Sequence, residues 1–92
     1  MIHILFSIRD SKAETFTIPF PMLTKAEAIR GFVTEVSNPK SGFLHTNSED
    51  FSLFEMGTFD TDNGKFVIHP APIHIANALE FKKMELNSKT SV

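Results

Sequence analysis

Asp50-Phe51-Ser52-Leu53-Phe54-Glu55-Met56-Gly57-Thr58-Phe59-Asp60-Thr61-Asp62-Asn63-Gly64-Lys65-Phe66-Val67-Ile68 reads as a β-hairpin, and the rest of the chain is organised around it. Two apolar, aromatic-rich runs flank Asp60-Thr61-Asp62-Asn63-Gly64, where Asp accepts hydrogen bonds from nearby backbone N–H groups and Gly supplies φ > 0. The period-2 parity slips inside the first run, because Phe51 and Leu53 share one face while Phe54 and Met56 share the other. A bulge near Gly57, or burial of both faces, accommodates the slip.

Upstream, Ile2, Ile4, Phe6 and Ile8 alternate with His3, Leu5, Ser7 and Arg9, the pattern of a strand with one buried face. After the polar turn Asp10-Ser11-Lys12-Ala13-Glu14 the alternation resumes, with Phe16, Ile18 and Phe20 on one face and Thr15 and Thr17 on the other. Pro19 and Pro21 cannot donate to a ladder, so this second strand is predicted at an edge. Thr24-Lys25-Ala26-Glu27 has the form of a capping box and starts a helix. Ile29, Phe32, Val33 and Val36 give that helix an apolar stripe to lay on the sheet, and Asn38-Pro39 stops it. Gly31 inside it costs about 1 kcal/mol relative to Ala; close approach to another backbone explains it, or tolerance on an exposed face. Lys40 to Ser48 shows no period and reads as a loop of roughly ten residues, a length that is either functional or mobile.

Downstream of Pro70-Ala71-Pro72, Ile73 to Phe81 fits a strand or a short helix, and the preferred reading is a short helix closing the core. Residues 82–92 are polar and are expected to fray. The expected class is α+β: a small antiparallel sheet of two β-hairpins packed against one amphipathic helix, ββαββ with an optional short C-terminal helix, as a single domain over 1–81.

Composition narrows the chemistry. The 92 residues contain no cysteine, so neither a disulfide framework nor a thiolate zinc site is available. The apolar N-terminus meets Arg9 and Asp10 too soon for a signal peptide or a membrane span, and the chain is expected to be soluble and unexported. A formal net charge of −2 is not the cationic excess of a typical nucleic-acid binder. Contact with phosphate therefore requires the fold to gather Arg9, Lys12, Lys25, Arg30, Lys40 and Lys65 locally. With ten Phe, no Tyr and no Trp, the aromatic rings lack a polar handle, and most are expected in the core.

No catalytic constellation emerges. Asp60 to Gly64 superficially resembles a calcium loop, but Asn63 and Gly64 fall one place early and Ala71 occupies the twelfth position, so a plain turn is expected. His3, His45, His69 and His74 show no i, i+4 pair, which argues against a metal site. Asp10, Glu14, Glu49 and Asp50 border turns, where carboxylates are solvated, and no Ser or Thr is paired with a base. A non-enzyme without cofactor is expected. Arg9-Asp10-Ser11-Lys12 places two cations at a hairpin tip, either to meet phosphates or as a solvated turn. Phe43, in a loop, and Phe54, off the main parity, offer stacking platforms for unpaired bases if they are not core or dimer contacts.

Three clusters carry a family resemblance: Phe6-Ser7-Ile8-Arg9-Asp10-Ser11-Lys12-Ala13-Glu14-Thr15-Phe16; Glu27-Ala28-Ile29-Arg30-Gly31-Phe32; and Glu49-Asp50-Phe51-Ser52-Leu53-Phe54 with Gly57, Phe59, Asp60 and Gly64. In this order and spacing, over roughly Ile4 to Phe81, the chain resembles the small nonstructural protein of gokushovirus-type microviruses, single-stranded DNA phages. The resemblance implies a DNA-binding protein of the host bacterial cytoplasm, outside the mature virion, that helps replication switch from duplex synthesis to single-strand synthesis and packaging. It defines no binding residues.

Two readings follow. In the first, Arg9, Lys12, Lys25, Arg30 and Lys40 meet the phosphates of single-stranded DNA while Phe43 or Phe54 stacks on bases. In the second, an adaptor touches only protein, such as the phage replication initiator, the procapsid or a host factor, through a sheet edge or apolar patch. A homodimer is expected in either case, because one helix leaves the second sheet face open, with Leu5, Phe54, Met56 and Val67 expected on it.

Overall fold

The structure, a computed structural model, describes residues 1–81; the expected fraying of 82–92 lies outside the described residues. The strands are β1 (Ile2–Asp10), β2 (Thr15–Phe16), β3 (Phe20–Met22), β4 (Phe51–Asp60) and β5 (Lys65–Asn77). The helices are α1 (Lys25–Ser37) and the single turn α2 (Phe43–Thr46), which is flanked by 3₁₀ turns at Pro39–Ser41 and Ser48–Asp50. All strand pairs are antiparallel, in the order β2-β1-β4-β5, with β3 following β2 along the same side of β1. The α+β class holds. The expected ββαββ order is corrected by the division of the second strand into two pieces.

That division has a local cause. Arg9 pairs with Phe16 and Phe6 with Phe20, so three residues, Thr17 to Pro19, stand opposite two of β1. The extra residue forms a bulge, and Thr17 closes it: its N–H donates to the Ile8 carbonyl at 2.9 Å, and its Oγ1 accepts from the Ile8 N–H at 3.0 Å. The buried Ser7 hydroxyl donates to the Thr17 carbonyl at 2.8 Å. Ile18 is turned outward and is 89% exposed. Phe16, Ile18 and Phe20 therefore do not share a face as expected, because one added residue reverses the parity.

β4 is bulged as well. Leu5 pairs with Gly57 but Phe6 with Glu55, leaving Met56 as the additional residue. On the other side of β4, Glu55 pairs with Ile73 and Gly57 with Ile68, so His69 to Pro72 bow out opposite Met56. A bulge near Gly57, one of the two readings of the broken parity, is thus present, while Leu53 and Phe54 themselves follow in regular register along β1 and lie on opposite faces. At Gly57 a Cβ would overlap the Val67 carbonyl oxygen and lie 2.9 Å from the Ile68 Cα, so only glycine lets β5 approach this closely.

One sheet face carries the core. Phe6, Leu53, Ala28, Phe32, Val36 and Ala78 form its buried centre, with Ile4, Ile8, Phe20, Met22 and Phe51 packed around them. Thr24 caps α1 as expected, its Oγ1 accepting from the Glu27 N–H at 3.1 Å. At Gly31 a Cβ would meet nothing within 4 Å, which selects tolerance over close approach. The stretch read as a loop is instead the succession of helical turns, held to α1 by Ser41 Oγ donating to Glu35 (2.8 Å) and by His45 Nδ1 with the Val36 carbonyl (2.7 Å). Residues 73–81 are corrected too: β5 runs on to Asn77, and helix begins only at residue 78.

Candidate nucleic-acid interface

Pairing register assigns the second face. His3, Leu5, Ser7 and Arg9 of β1 lie opposite Phe59, Gly57, Phe54 and Ser52 of β4, and β5 adds Phe66, Ile68, His74 and Asn77. The described helical residues that enter the core, among them Phe32, Leu44, Ala78 and Phe81, all lie on the other side. Among the described residues no helix covers this open face.

Across it runs an aromatic row. Phe16 meets Phe54 edge to face at 5.6 Å between ring centroids, and Phe54 meets His74 in the same manner at 5.4 Å. The Arg9 guanidinium carbon stands 5.5 Å from the Phe16 centroid, within cation–π range. The polar border of the row is internally bonded, with Ser52 Oγ donating to Asn77 Oδ1 at 2.7 Å and His74 Nε2 lying 2.8 Å from the same oxygen. Further out, the Phe59 and Phe66 rings meet at 4.6 Å between centroids with their planes tilted by 50°. The open face thus presents two aromatic clusters, with Leu5 and Ile68 at the positions between them. Such rings bind unpaired bases by their π-faces without regard to sequence.

The expected residues separate into groups. Arg9 and Phe54 share the row. Lys12 and Phe43, the latter 74% exposed, line a cavity of about 420 Å³ with Asp10, Asn47, Asp50 and Phe51, where the β1–β2 turn meets α2. Lys25 opens α1, Arg30 is exposed along it, and Lys40 lies in the following 3₁₀ turn. The expected joint basic face is corrected, because α1 packs on the side of the sheet opposite Arg9 and Phe54. Leu5 and Phe54 share the open face as expected, but Val67 is opposite Thr58 on the helix face. Met56 is the bulge residue.

Phe16 and His74 were not anticipated in the row. For Phe16 the available signal was Pro19, since a proline within a strand is confined to an edge or a bulge; for His74 the sequence offers none, since its neighbour Phe54 is brought beside it by strand pairing. The expectation that most Phe rings are core is also corrected: Phe6, Phe20, Phe32, Phe51 and Phe81 are, and the other five are not.

At the hairpin tip, the Asp60 and Asp62 carboxylates hold the Met1 ammonium at 3.3 and 2.9 Å. Asp60 Oδ1 also accepts from the Asp62 N–H at 2.9 Å, and Asn63 Oδ1 from the Lys65 N–H. The Asp62 carboxylate foremost raises the ammonium pKa. The Asp62 N–H foremost, and then the ammonium, hold Asp60 below the ordinary carboxylate value. These bonds are those of a turn. Among the described residues no group of three His, Asp or Glu is placed to hold a metal ion, and no helix is long and apolar enough to cross a membrane.

Fold and face define a small α+β protein with one sheet face covered by helix and the other lined with aromatic rings. The chain belongs to the Phage ORF5 protein family, whose model matches residues 3–81. It is similar to protein ORF5 of Chlamydia phage 1, with 39% identity over 80 residues, covering 83% of this chain and 83% of that protein. It is therefore a small phage protein of the gokushovirus-type microviruses, in agreement with the sequence resemblance. No solved structure matches it.

Proposed function

We propose that this protein binds single-stranded DNA on its open face, as a non-catalytic factor that helps phage replication pass from duplex synthesis to single-strand synthesis and packaging. The observation that carries the reading is the row Arg9, Phe16, Phe54 and His74 on a sheet face that no helix covers among the described residues. Rings on β2, β4 and β5 give successive bases places to stack, while Arg9, on β1 between β2 and β4, supplies a cation for phosphate or base. Lys12 and Phe43, beside the cavity beyond the β1–β2 turn, extend the path for the strand.

Fluorescence anisotropy with a labelled oligonucleotide at low salt tests this directly. Phe54→Ala and Phe16→Ala should each weaken binding by about 1 to 3 kcal/mol, with far-UV circular dichroism unchanged. Arg30→Ala, on the helix side, should have little effect. Absence of binding at tens of micromolar rejects the reading and leaves an adaptor that touches only protein.

A further inference from the structure

We propose that the free edge of β5 pairs with the same edge of a second copy, antiparallel about a two-fold axis near Val67, fusing two sheets into one. β5 is the outer strand of the sheet, with β4 on one side and no described strand on the other. Phe66, Val67 and Ile68 are 63%, 66% and 60% exposed. Register puts Phe66 and Ile68 on the open face and Val67 on the helix face. Apolar surface is therefore exposed on both sides of one strand. A partner resting on a single face would leave half of it wet, whereas an added strand flanks both faces and satisfies the edge N–H and C=O groups.

The two edges of the sheet differ in protection. β2 and β3 are short, are separated by a bulge, and carry Pro19 and Pro21 in or beside them. Within Phe66-Val67-Ile68 there is neither a charge nor a proline. Lys65 on one side and Pro70 on the other limit an uninterrupted ladder to Lys65 through His69.

This window matches itself. Centred on Val67, antiparallel pairing sets Phe66 opposite the partner's Ile68, a favourable aromatic and β-branched cross-strand pair. Lys65 comes opposite the partner's His69. Within one subunit His69 Nε2 lies 2.7 Å from Glu55 Oε2, so the incoming Lys65 meets a position that carries a carboxylate. A two-fold axis relating antiparallel edge strands stands normal to the sheet, so both open faces point the same way. Resting on the function proposed above, this makes one aromatic platform of two, with Arg9 from each subunit.

The chain has no cysteine, so single-cysteine variants report the geometry without background. Oxidation should cross-link Val67→Cys most efficiently, with Phe66→Cys and Ile68→Cys less so and Lys40→Cys not at all. Sedimentation equilibrium should give twice the 10.3 kDa chain mass at micromolar concentration. Val67→Lys and Ile68→Lys should each weaken the dimer at least tenfold with circular dichroism unchanged. A monomer throughout, a dimer indifferent to both lysines, or cross-linking no better at 66–68 than at Lys40 overturns the pairing. A dimer that ignores DNA overturns only the proposed function, whereas a DNA-binding monomer overturns only the pairing.

Discussion

At Gly57 the backbone of β5 comes so close that a methyl group would occupy the place of the Val67 carbonyl oxygen. Gly57→Ala should therefore cost about 2 to 3 kcal/mol in urea unfolding, as overpacking does. Gly31→Ala should stabilise by about 0.5 to 1 kcal/mol, because the added methyl meets open space in a helix. The Met1 ammonium and Asp60 define a pH window. Asp60 has a depressed folded pKa, so its contribution is present above the ordinary carboxylate value and is lost as pH falls through the folded one. Met1 has a raised value, so its contribution is present below the ordinary α-amino value and is lost as pH rises through the folded one. Protection of the amides of residues 61–64, taken relative to the intrinsic exchange rate at each pH, should be greatest between those limits, and acetylation of Met1 should abolish the alkaline limb. A glycine at residue 57 was legible as a bulge marker. The need for glycine was not, since it depends on where a strand ten residues later runs.

Among the elements, α1 and the Asp60–Gly64 turn were the most legible, because a cap with i, i+3, i+4 periodicity and an Asp/Asn/Gly loop are local signals. β2 and β3 were not, because Thr17 substitutes its side chain for a regular backbone pairing with Ile8. Thr17→Val keeps the shape but leaves the Ile8 N–H without that acceptor and removes one partner of the Ser7 hydroxyl. A loss of about 1 to 3 kcal/mol is expected by thermal or urea melting. The short helical turns of 39–50 have no amphipathic period to read, because each is about one turn long and is held by individual bonds to α1 or by its own cap. Residues 73–81 are ambiguous in sequence because a short run as apolar as Ile75-Ala76-Asn77-Ala78-Leu79 suits a strand or a buried helix, and only β4, bonded along residues 73–77, fixes those as strand.

At the scale of the whole fold, among the described residues, helix lies on one side of the sheet and aromatic rings line the other. Arg9 and Phe54 were legible as candidates, but their company was not: sequence gives the polarity of each position, while strand register decides that Phe16 and His74 join them and that Arg30 does not. The consequence is measurable. Arg9 in the row and Lys12 at the neighbouring turn bring about two cations per subunit to a bound strand, so log K should fall with log salt at a slope of about −1.4. A strand that spans both subunits of the proposed dimer should about double that slope, and one steeper still would mean that the strand runs instead over the cations of the helix side.

The order of the sheet also sets when it can form. β1, nearest the N-terminus, is an interior strand, and its longest partner is β4, with roughly 45 residues of chain between Ile8 and Leu53 that a ribosome adding about 5 to 20 residues per second takes several seconds to supply. During that interval Phe6 and Ile8 have only the short, bulged β2 and β3 for company. Completion of the sheet is thus deferred until β4 and β5 have been made, and the nascent protein offers an apolar strand to chaperones for as long as it waits.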